Sequence, residues 1–160
     1  MKSGLKAWTY SRLVPADSLA CSCLCGGVRF EVAPPLGRAG YCHCTRCQGR
    51  TGAAASAQVR VAAGAVRVVT GEELVQSWEP ADGFAKDFCV TCGSHLWSRD
   101  PDSGEVFSVR MGAFDIDPGI RPSYRQFVDN AAPWEPIPED GLERFGGSAW
   151  SSATPGTMYT

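Results

Sequence analysis

Eight cysteines carry most of the reactive chemistry in this chain of 160 residues, and they fall into three short clusters. The clusters are Cys21-Ser-Cys23-Leu-Cys25-Gly-Gly, Cys42-His-Cys44-Thr-Arg-Cys47 and Cys89-Val-Thr-Cys92-Gly. Zinc binds thiolates at about 2.3 Å in a tetrahedron, so two sulfurs on one metal must lie within about 4 Å of each other. Spacings of one or two residues between cysteines meet that requirement, and the clusters therefore predict metal binding.

The third cluster, Cys89-Val-Thr-Cys92-Gly93, resembles a zinc knuckle, in which a tight turn aims backbone N–H groups at two sulfurs. Gly93 permits the positive φ that such a turn requires. A knuckle supplies two ligands, so two more must come from elsewhere. Cys23 and Cys25 can supply them, because the two glycines that follow allow the backbone to bend sharply. A shell closed by these four thiolates has no place for substrate, which predicts a structural zinc.

The middle cluster offers three further ligands, Cys42, Cys44 and Cys47. Three protein ligands with one open position are the usual arrangement of a catalytic zinc. Such a metal could hold a substrate thiol as thiolate at neutral pH and present it to an electrophile. Arg46 and Arg50 flank the cluster, and they are candidates for binding the carboxylates of that substrate.

Other interpretations of the cysteines stay open. Cys21 could complete the second site, which would make both metals structural. Disulfides are a further alternative, although pairs two residues apart are strained, and a redox role is an alternative for Cys89 and Cys92. The ring of His43, between two ligands, is expected to point to the opposite face in a packing role, and His95 is expected to be a strand residue.

The composition limits the classes of partner. A net charge of -2 and a pI near 5.7 offer no broad basic surface for nucleic acid or acidic membranes. The first twenty residues lack the continuous apolar stretch of a secretory signal, and no run of about 18 apolar residues predicts a membrane span. We therefore expect a cytoplasmic protein, in which clustered thiols bind metal before they form disulfides.

The elements that position the cysteines are expected to be short strands, because 18 glycines and 11 prolines interrupt every window of helical length. Period-two alternation predicts half-buried strands, in which residues such as Gln58 and Arg110 alternate with apolar ones, at 28–32, 55–61 and 107–111. Further strands are expected at 65–70, 74–78, 84–88, 94–98 and 123–128, and one short helix at 45–50. The chain is therefore predicted to be mainly β.

Several motifs follow one another along most of the chain. They are Cys23-Leu-Cys25-Gly-Gly-Val-Arg-Phe, Cys42-His-Cys44-Thr-Arg-Cys47 with Thr51-Gly52, Phe88-Cys89-Val-Thr-Cys92-Gly-Ser, Ala132-Pro-Trp134 and Gly141-Leu-Glu-Arg-Phe145. In this order they resemble the glutathione-dependent formaldehyde-activating enzyme family over about residues 20 to 147. Cys21 and the first twenty residues have no counterpart in the family pattern.

The resemblance implies a β-tent fold, in which zinc links small antiparallel sheets. It implies two zinc ions, with a structural set of Cys23, Cys25, Cys89 and Cys92 and a catalytic set of Cys42, Cys44 and Cys47. It also implies glutathione as co-substrate, which adds to formaldehyde to give S-hydroxymethylglutathione, and the reverse reaction is that of a carbon-sulfur lyase. Zinc ligands specify a Lewis acid but neither the thiol nor the electrophile, so the substrate stays open.

The chain is expected to consist of an N-terminal extension at 1–20, a zinc domain at 21–147 and a flexible tail at 148–160. The leading hypothesis is a zinc-dependent carbon-sulfur lyase that adds a thiol, glutathione first among them, reversibly to a small aldehyde. Its partners would be a small-molecule thiol and an aldehyde, with neither nucleic acid nor membrane. The alternative is a non-catalytic, zinc-stabilised binding module of the same fold.

Overall fold

A computed structural model describes residues 17–150. Within this range the chain forms eleven short strands, one α-helix and three short 3-10 helices. The strands are β1 (Leu19–Ser22), β2 (Arg29–Val32), β3 (Ala39–Cys42), β4 (Ser56–Arg60), β5 (Val66–Thr70), β6 (Val75–Trp78), β7 (Ala85–Cys89), β8 (His95–Arg99), β9 (Val106–Arg110), β10 (Pro122–Gln126) and β11 (Glu143–Phe145). The α-helix is α1 (Thr45–Thr51), and the 3-10 helices span Glu72–Leu74, Met111–Ala113 and Val128–Asn130.

The predicted mainly β class is confirmed. Each strand expected from alternation or from flanking turn residues has a counterpart in the structure, and α1 coincides with the expected helix. Three strands were not expected, namely β1, β3 and β11. They are four residues long or shorter, and β3 contains Gly40, so none of them shows a clear alternation.

The strands form two sheets. The smaller sheet has the order β1-β2-β5, and the larger one has the order β11-β10-β3-β4-β9-β8-β7-β6. Pairing is antiparallel except that β10 runs parallel to both β3 and β11. Gly40 allows this parallel pairing to be close, because a Cβ at this position would overlap the ring of Tyr124 on β10. The last residue of β3, Cys42, is thereby fixed in the interior of the larger sheet.

The hydrophobic core joins the two sheets. The small sheet contributes Phe30, whose ring meets Trp97 of β8 edge to face with centroids 5.0 Å apart. Val59 and Val109 are fully buried opposite each other on β4 and β9, as the predicted alternation requires. Burial of these apolar side chains supplies the main driving force for the association of the sheets.

The other face of the larger sheet differs from the half-buried strands that the alternation predicts. Its polar residues are buried as well, and they are Ser56, Gln58, Lys86, Ser98, Ser108 and Arg110. The helix α1 contacts β4, the strand that carries Ser56 and Gln58. Buried polar groups need partners. Arg110 and Lys86 find them on this face in Ser56, Gln58 and Ser98, whereas the hydroxyl of Ser108 has no hydrogen-bond partner.

The predicted terminal segments lie mostly outside the described residues, since 1–16 and 151–160 are not among them. Of the expected extension, Leu19 and Ala20 belong to β1. Of the expected tail, Trp150 meets the ring of Tyr124 edge to face, with centroids 5.9 Å apart. The boundaries at 20 and 147 stay predictions. No helix between residues 17 and 150 combines the length and the apolar character that a membrane crossing demands.

Candidate metal centres

Four cysteines from two distant parts of the chain meet at one edge of the fold. The sulfurs of Cys23, Cys25, Cys89 and Cys92 all lie within 4.8 Å of one another. The Sγ atoms of Cys23 and Cys25 are 3.4 Å apart, and those of Cys25 and Cys89 are 3.9 Å apart. A tetrahedral zinc with bonds of 2.3 Å needs sulfurs about 3.8 Å apart. The donor set therefore fits zinc.

Two tight turns bring these sulfurs together. Gly26 and Gly93 have φ angles of 72° and 74°, the left-handed region that glycine adopts without strain. The N–H group of Val28 donates to the sulfur of Cys23 over 3.2 Å, and the hydroxyl of Ser94 lies 3.2 Å from the sulfur of Cys92. Hydrogen bonds to sulfur stabilise the thiolate, and those from Ser94 lower the pKa of Cys92 to about 5.

Three further cysteines form a second group at the junction of β3 and α1. The sulfurs of Cys42, Cys44 and Cys47 lie within 4.8 Å of one another. Cys42 ends β3, Cys44 caps the N-terminus of α1 and Cys47 lies inside the helix. The N–H group of Cys47 donates to the sulfur of Cys44 over 3.3 Å, as a capping side chain accepts at a helix N-terminus. The backbone positions of all three cysteines are therefore fixed by β3 and α1.

The three thiols interact directly. Thiol donation from Cys42 and then from Cys47 lowers the pKa of Cys44 to about 2, and the same contacts raise the pKa of Cys42. Cys42 and Cys47 are buried, whereas Cys44 is partly exposed. Within residues 17–150, no fourth histidine, cysteine or carboxylate joins this group. The set therefore fits a zinc ion with three protein ligands and an approach from the side of Cys44.

Cys21 belongs to neither group. It lies on β1 with only 1% of its surface exposed, and its sulfur is 3.8 Å from the carbonyl oxygen of Leu19. Burial and the charge of Asp115 raise the pKa of Cys21 to about 12. Cys21 therefore lies in the core as a neutral thiol.

The two histidines also lie outside both groups. The Nε2 atom of His43 is 3.3 Å from the guanidinium of Arg125, so it accepts a hydrogen bond from a group that can only donate. Burial and the charge of Arg125 lower the pKa of His43, which is thereby held neutral. His95 is on β8, as expected, and burial together with Arg50 and Arg110 lowers its pKa to about 4.

The two candidate arginines differ. Arg46 donates to the carbonyl oxygen and the carboxylate of Asp82, both over 3.1 Å, so its guanidinium is already paired. Arg50 is half-buried, its Nη2 atom has no hydrogen-bond partner, and its charge interacts with those of Arg110 and Cys47. Of the two, Arg50 is therefore the one with an unpaired donor and a charge interaction with the three-cysteine group.

The polar layer under this group contains two buried cations that the sequence did not single out. Arg110 donates to the hydroxyls of Ser56 and Ser98 over 3.1 and 2.9 Å and to the amide oxygen of Gln58. Lys86 donates to the same hydroxyl of Ser98 over 2.9 Å. Burial, followed by the charge of Arg110, lowers the pKa of Lys86 to about 8. Strand alternation had given no signal that distinguishes a buried arginine from a solvated one.

Two cavities lie near the cysteine groups, and Cys23 of the four-cysteine group is the one metal-ligand candidate in their linings. The first, of about 590 Å³, is lined by residues that include Thr51, Ser56, His95, Arg110 and Asp115. Ser56 of this lining pairs with Cys42 in the sheet. The second, of about 470 Å³, is lined by residues that include Tyr41, His43, Arg125, Trp134 and Glu135. Both volumes lie in the range of about 300 to 1,000 Å³ that is typical of small-molecule sites.

Comparison with known proteins gives one family. Residues 18–130 match the family described as glutathione-dependent formaldehyde-activating enzyme, and this stretch contains both cysteine groups. The chain is also similar to a Rhodobacter sphaeroides protein of known crystal structure, with 27% sequence identity and a TM-score of 0.47. The alignment covers 63% of this chain and 93% of the Rhodobacter chain. No curated protein sequence matches the chain.

Proposed function

Because the chain belongs to the glutathione-dependent formaldehyde-activating enzyme family, we propose that it is a zinc-dependent enzyme that joins a thiol to a small aldehyde. Glutathione is the first thiol to consider and formaldehyde the first aldehyde. In the reaction a carbon-sulfur bond forms, the carbonyl double bond becomes a single bond, and the proton of the thiol ends on the carbonyl oxygen. The reverse reaction is that of a carbon-sulfur lyase.

The observation that carries this proposal is the three-cysteine group, which has no fourth ligand within the described residues. A zinc ion held by Cys42, Cys44 and Cys47 would supply a Lewis-acidic open position that favours the thiolate form of a substrate thiol. The four-cysteine group offers a complete tetrahedral set, which supports a structural role for Cys23, Cys25, Cys89 and Cys92. The two groups thus suit two different tasks.

The chain itself would contribute position and charge. Cys42 is anchored in the interior of a sheet, and Cys44 and Cys47 are anchored in the first turns of a helix. Reactants held at fixed sites react as if at high local concentration, which accelerates addition without any further chemical group. His43 is neutral and hydrogen-bonded to Arg125, so its proposed role is to pack the β3–α1 junction.

The test is an NMR exchange measurement of glutathione and formaldehyde with the purified, zinc-loaded protein. We expect formation of S-hydroxymethylglutathione at a rate above the spontaneous one, with about two zinc ions per chain, one for each cysteine group. Cys44→Ser should lose at least about 100-fold of the enzymatic rate, since one ligand of the reactive group is replaced by a poor one.

The matched control is Cys21→Ser, which changes a cysteine outside both groups and should retain the activity. A fully zinc-loaded wild-type protein that does not exceed the spontaneous rate, with glutathione or with other small thiols, would contradict the proposal. That result would favour the non-catalytic binding module instead.

A further inference from the structure

Arg110 shares a face of the larger sheet with the first ligand of the three-cysteine group. Ser56 on β4 pairs with Cys42 on β3, and Arg110 on β9 pairs with Gln58, which lies two residues further along β4. Residues directly opposite each other on neighbouring strands, and residues two apart on one strand, lie on the same face of a sheet. The side chains of Cys42 and Arg110 are therefore on one face.

Hydrogen bonds fix the guanidinium of Arg110 in this position. Its Nη1 atom donates to the hydroxyl of Ser56 over 3.1 Å and to the amide oxygen of Gln58. Its Nη2 atom donates to the hydroxyl of Ser98 over 2.9 Å. Arg110 is also only 6% exposed, so moving its charge into solvent would break all of these bonds. A positive charge is thus held next to Ser56, the residue that pairs with Cys42.

Two further cations belong to the same environment. Lys86 donates over 2.9 Å to the hydroxyl of Ser98 that also accepts from Arg110. Arg50 lies three residues after Cys47 on α1, and residues three apart share a face of a helix. The charges of Lys86 and Arg50 interact with those of Arg110 and Cys47. The three cations and the three-cysteine group therefore form one electrostatic unit.

No carboxylate pairs with these cations in the described part of the chain. None of the three has an ion pair to a carboxylate within 4 Å among residues 17–150. The charge of Asp87 acts on Arg50, but this carboxylate is bonded to Arg99 over 3.2 Å. Buried charges of one sign are costly unless anions lie near them. The anions that act on Arg110 are the sulfurs of the three-cysteine group.

The formal charges indicate which ligand would suit a metal in this group. A zinc ion with three thiolates carries a single net negative charge, against three positive charges nearby. A neutral fourth ligand leaves this charge unchanged, whereas an anionic fourth ligand doubles it. Solvent screens buried charges little, so the attraction between the cations and the added charge is strong. The cations therefore favour an anionic fourth ligand.

From this arrangement we infer that Arg110 is a positioning residue of the three-cysteine centre, whose fixed charge makes a metal there select an anionic fourth ligand over a neutral one. Lys86 and Arg50 reinforce the same selection. The inference rests on the proposed function, because it requires a metal in this group. It deepens that function by assigning the ligand preference to residues that lie outside the metal shell and act through charge.

The experiment compares an anionic with a neutral ligand, azide with imidazole, on the cobalt-substituted protein. The visible absorption bands of cobalt change when a ligand enters its shell, so binding is measured without any catalysis. The four-cysteine group offers a complete set of thiolates, so the change reports the three-cysteine group. The quantity compared between proteins is the dissociation constant of imidazole divided by that of azide, because the intrinsic affinity of each ligand for cobalt then cancels.

Two substitutions of Arg110 separate charge from structure. Arg110→Met removes the charge and should lower the ratio of dissociation constants at least about tenfold, through weaker azide binding. Arg110→Lys keeps a positive charge and should restore most of the ratio. A residue with a merely structural role would instead affect azide and imidazole alike, and restoring the charge would not rescue it.

A third variant avoids the hydrogen bonds of Arg110. Arg50→Gln removes a half-buried charge on α1 and should lower the ratio about threefold. This variant decides the inference if Arg110→Met does not fold. Arg46→Gln is the matched control, because it lies one turn away on the same helix and donates to Asp82. It should keep the ratio of the wild-type protein.

Each outcome decides a separate point. An unchanged ratio in Arg50→Gln and in folded Arg110→Met would overturn the inference and leave the proposed function intact. Equal weakening of azide and imidazole in Arg110→Met, without recovery in Arg110→Lys, would also overturn it, because Arg110 would then be structural only. Absence of any spectral change with both ligands in the wild-type protein would remove the open position and overturn the proposed function together with the inference.

Discussion

In the four-cysteine group, Cys25 lies at the surface, and the groups that contact the sulfurs are backbone N–H groups and the hydroxyl of Ser94. In the three-cysteine group, Cys42 and Cys47 are buried, and cations form the layer beneath them. The ligand atom is the same in both. The neighbourhood differs, because backbone N–H groups and a hydroxyl contact the sulfurs of the first group, whereas the charges of Arg110 and Lys86 act on the sulfurs of the second.

This difference shows how one type of side chain can suit two purposes. Neutral donors stabilise a filled set of four thiolates without attracting another ligand, so a metal there would hold two loops together. Positive charge beside an incomplete set favours an additional anion, so a metal there would keep a position for substrate. The coordination number and the surrounding charge therefore point to the same division.

The largest expected effect is a loss of thermal stability when a ligand of the four-cysteine group, rather than of the three-cysteine group, is replaced. Cys89→Ser should abolish folding or lower the melting temperature by more than about 20 °C, because structural zinc supplies roughly 10 to 16 kcal/mol of folding free energy. Circular dichroism against temperature measures the change. Cys44→Ser should fold with a melting temperature within about 10 °C of wild type. Equal losses in the two variants would contradict the division into a structural and a reactive group.

A second change should affect the three-cysteine group through the backbone. Gly40→Ala would place a Cβ in the ring of Tyr124 and push β3 away from β10, so we expect a loss of about 2 to 4 kcal/mol and weaker zinc binding by Cys42. Urea denaturation and metal analysis measure both effects. The control is Gly49→Ala on α1, where a Cβ meets nothing within 4 Å and the helix should gain up to about 1 kcal/mol.

A smaller effect should appear in the pH dependence of stability. The folded pKa of His95 is about 4 and its ordinary value is 6.5, so between these values the unfolded chain binds a proton that the folded chain does not. Stability should therefore fall as the pH drops from about 6.5 towards about 4. His95→Asn should flatten that part of the profile in urea midpoints measured from pH 7.5 to 5. Parallel profiles for the two proteins would contradict the lowered pKa of His95, which burial and then the charges of Arg50 and Arg110 produce.

The smallest change concerns the cysteine outside both groups. Cys21→Ala removes one buried sulfur, and we expect a loss of about 1 to 2 kcal/mol, or a few degrees in melting temperature, with no change in zinc content. Metal analysis and thermal denaturation check this outcome. Release of one zinc ion from the variant would assign Cys21 to a metal and would contradict the incomplete set at Cys42, Cys44 and Cys47.

Much of the local structure could be predicted because it depends on neighbours in sequence. The helix at 45–51 and the strands around Phe30 and Val109 follow from turn residues and alternation. The strand β3 was not predicted, because glycine is uncommon in strands. Gly40 is needed there since a Cβ would overlap the ring of Tyr124, which is distant in sequence. Arg46 and Arg50 could not be told apart for the same reason, because their partners are distant in sequence. Arg46 donates to Asp82, whereas the Nη2 atom of Arg50 has no hydrogen-bond partner.

The sequence alone determined the family and showed that cysteines within each cluster are spaced closely enough to share a metal, whereas the structure brings Cys23 and Cys25 beside Cys89 and Cys92. Tertiary structure alone decided that Cys21 lies apart in the core, that Gln58 and Arg110 are buried, and that three cations surround one cysteine group and not the other. Alternation indicates which side chains share a face of a strand. Whether that face is buried or exposed to solvent depends on the elements that pack against it in the tertiary structure. In this protein tertiary packing buries the polar strand face that carries Lys86 and Arg110, and the charge of Arg110 therefore acts on Cys42, Cys44 and Cys47.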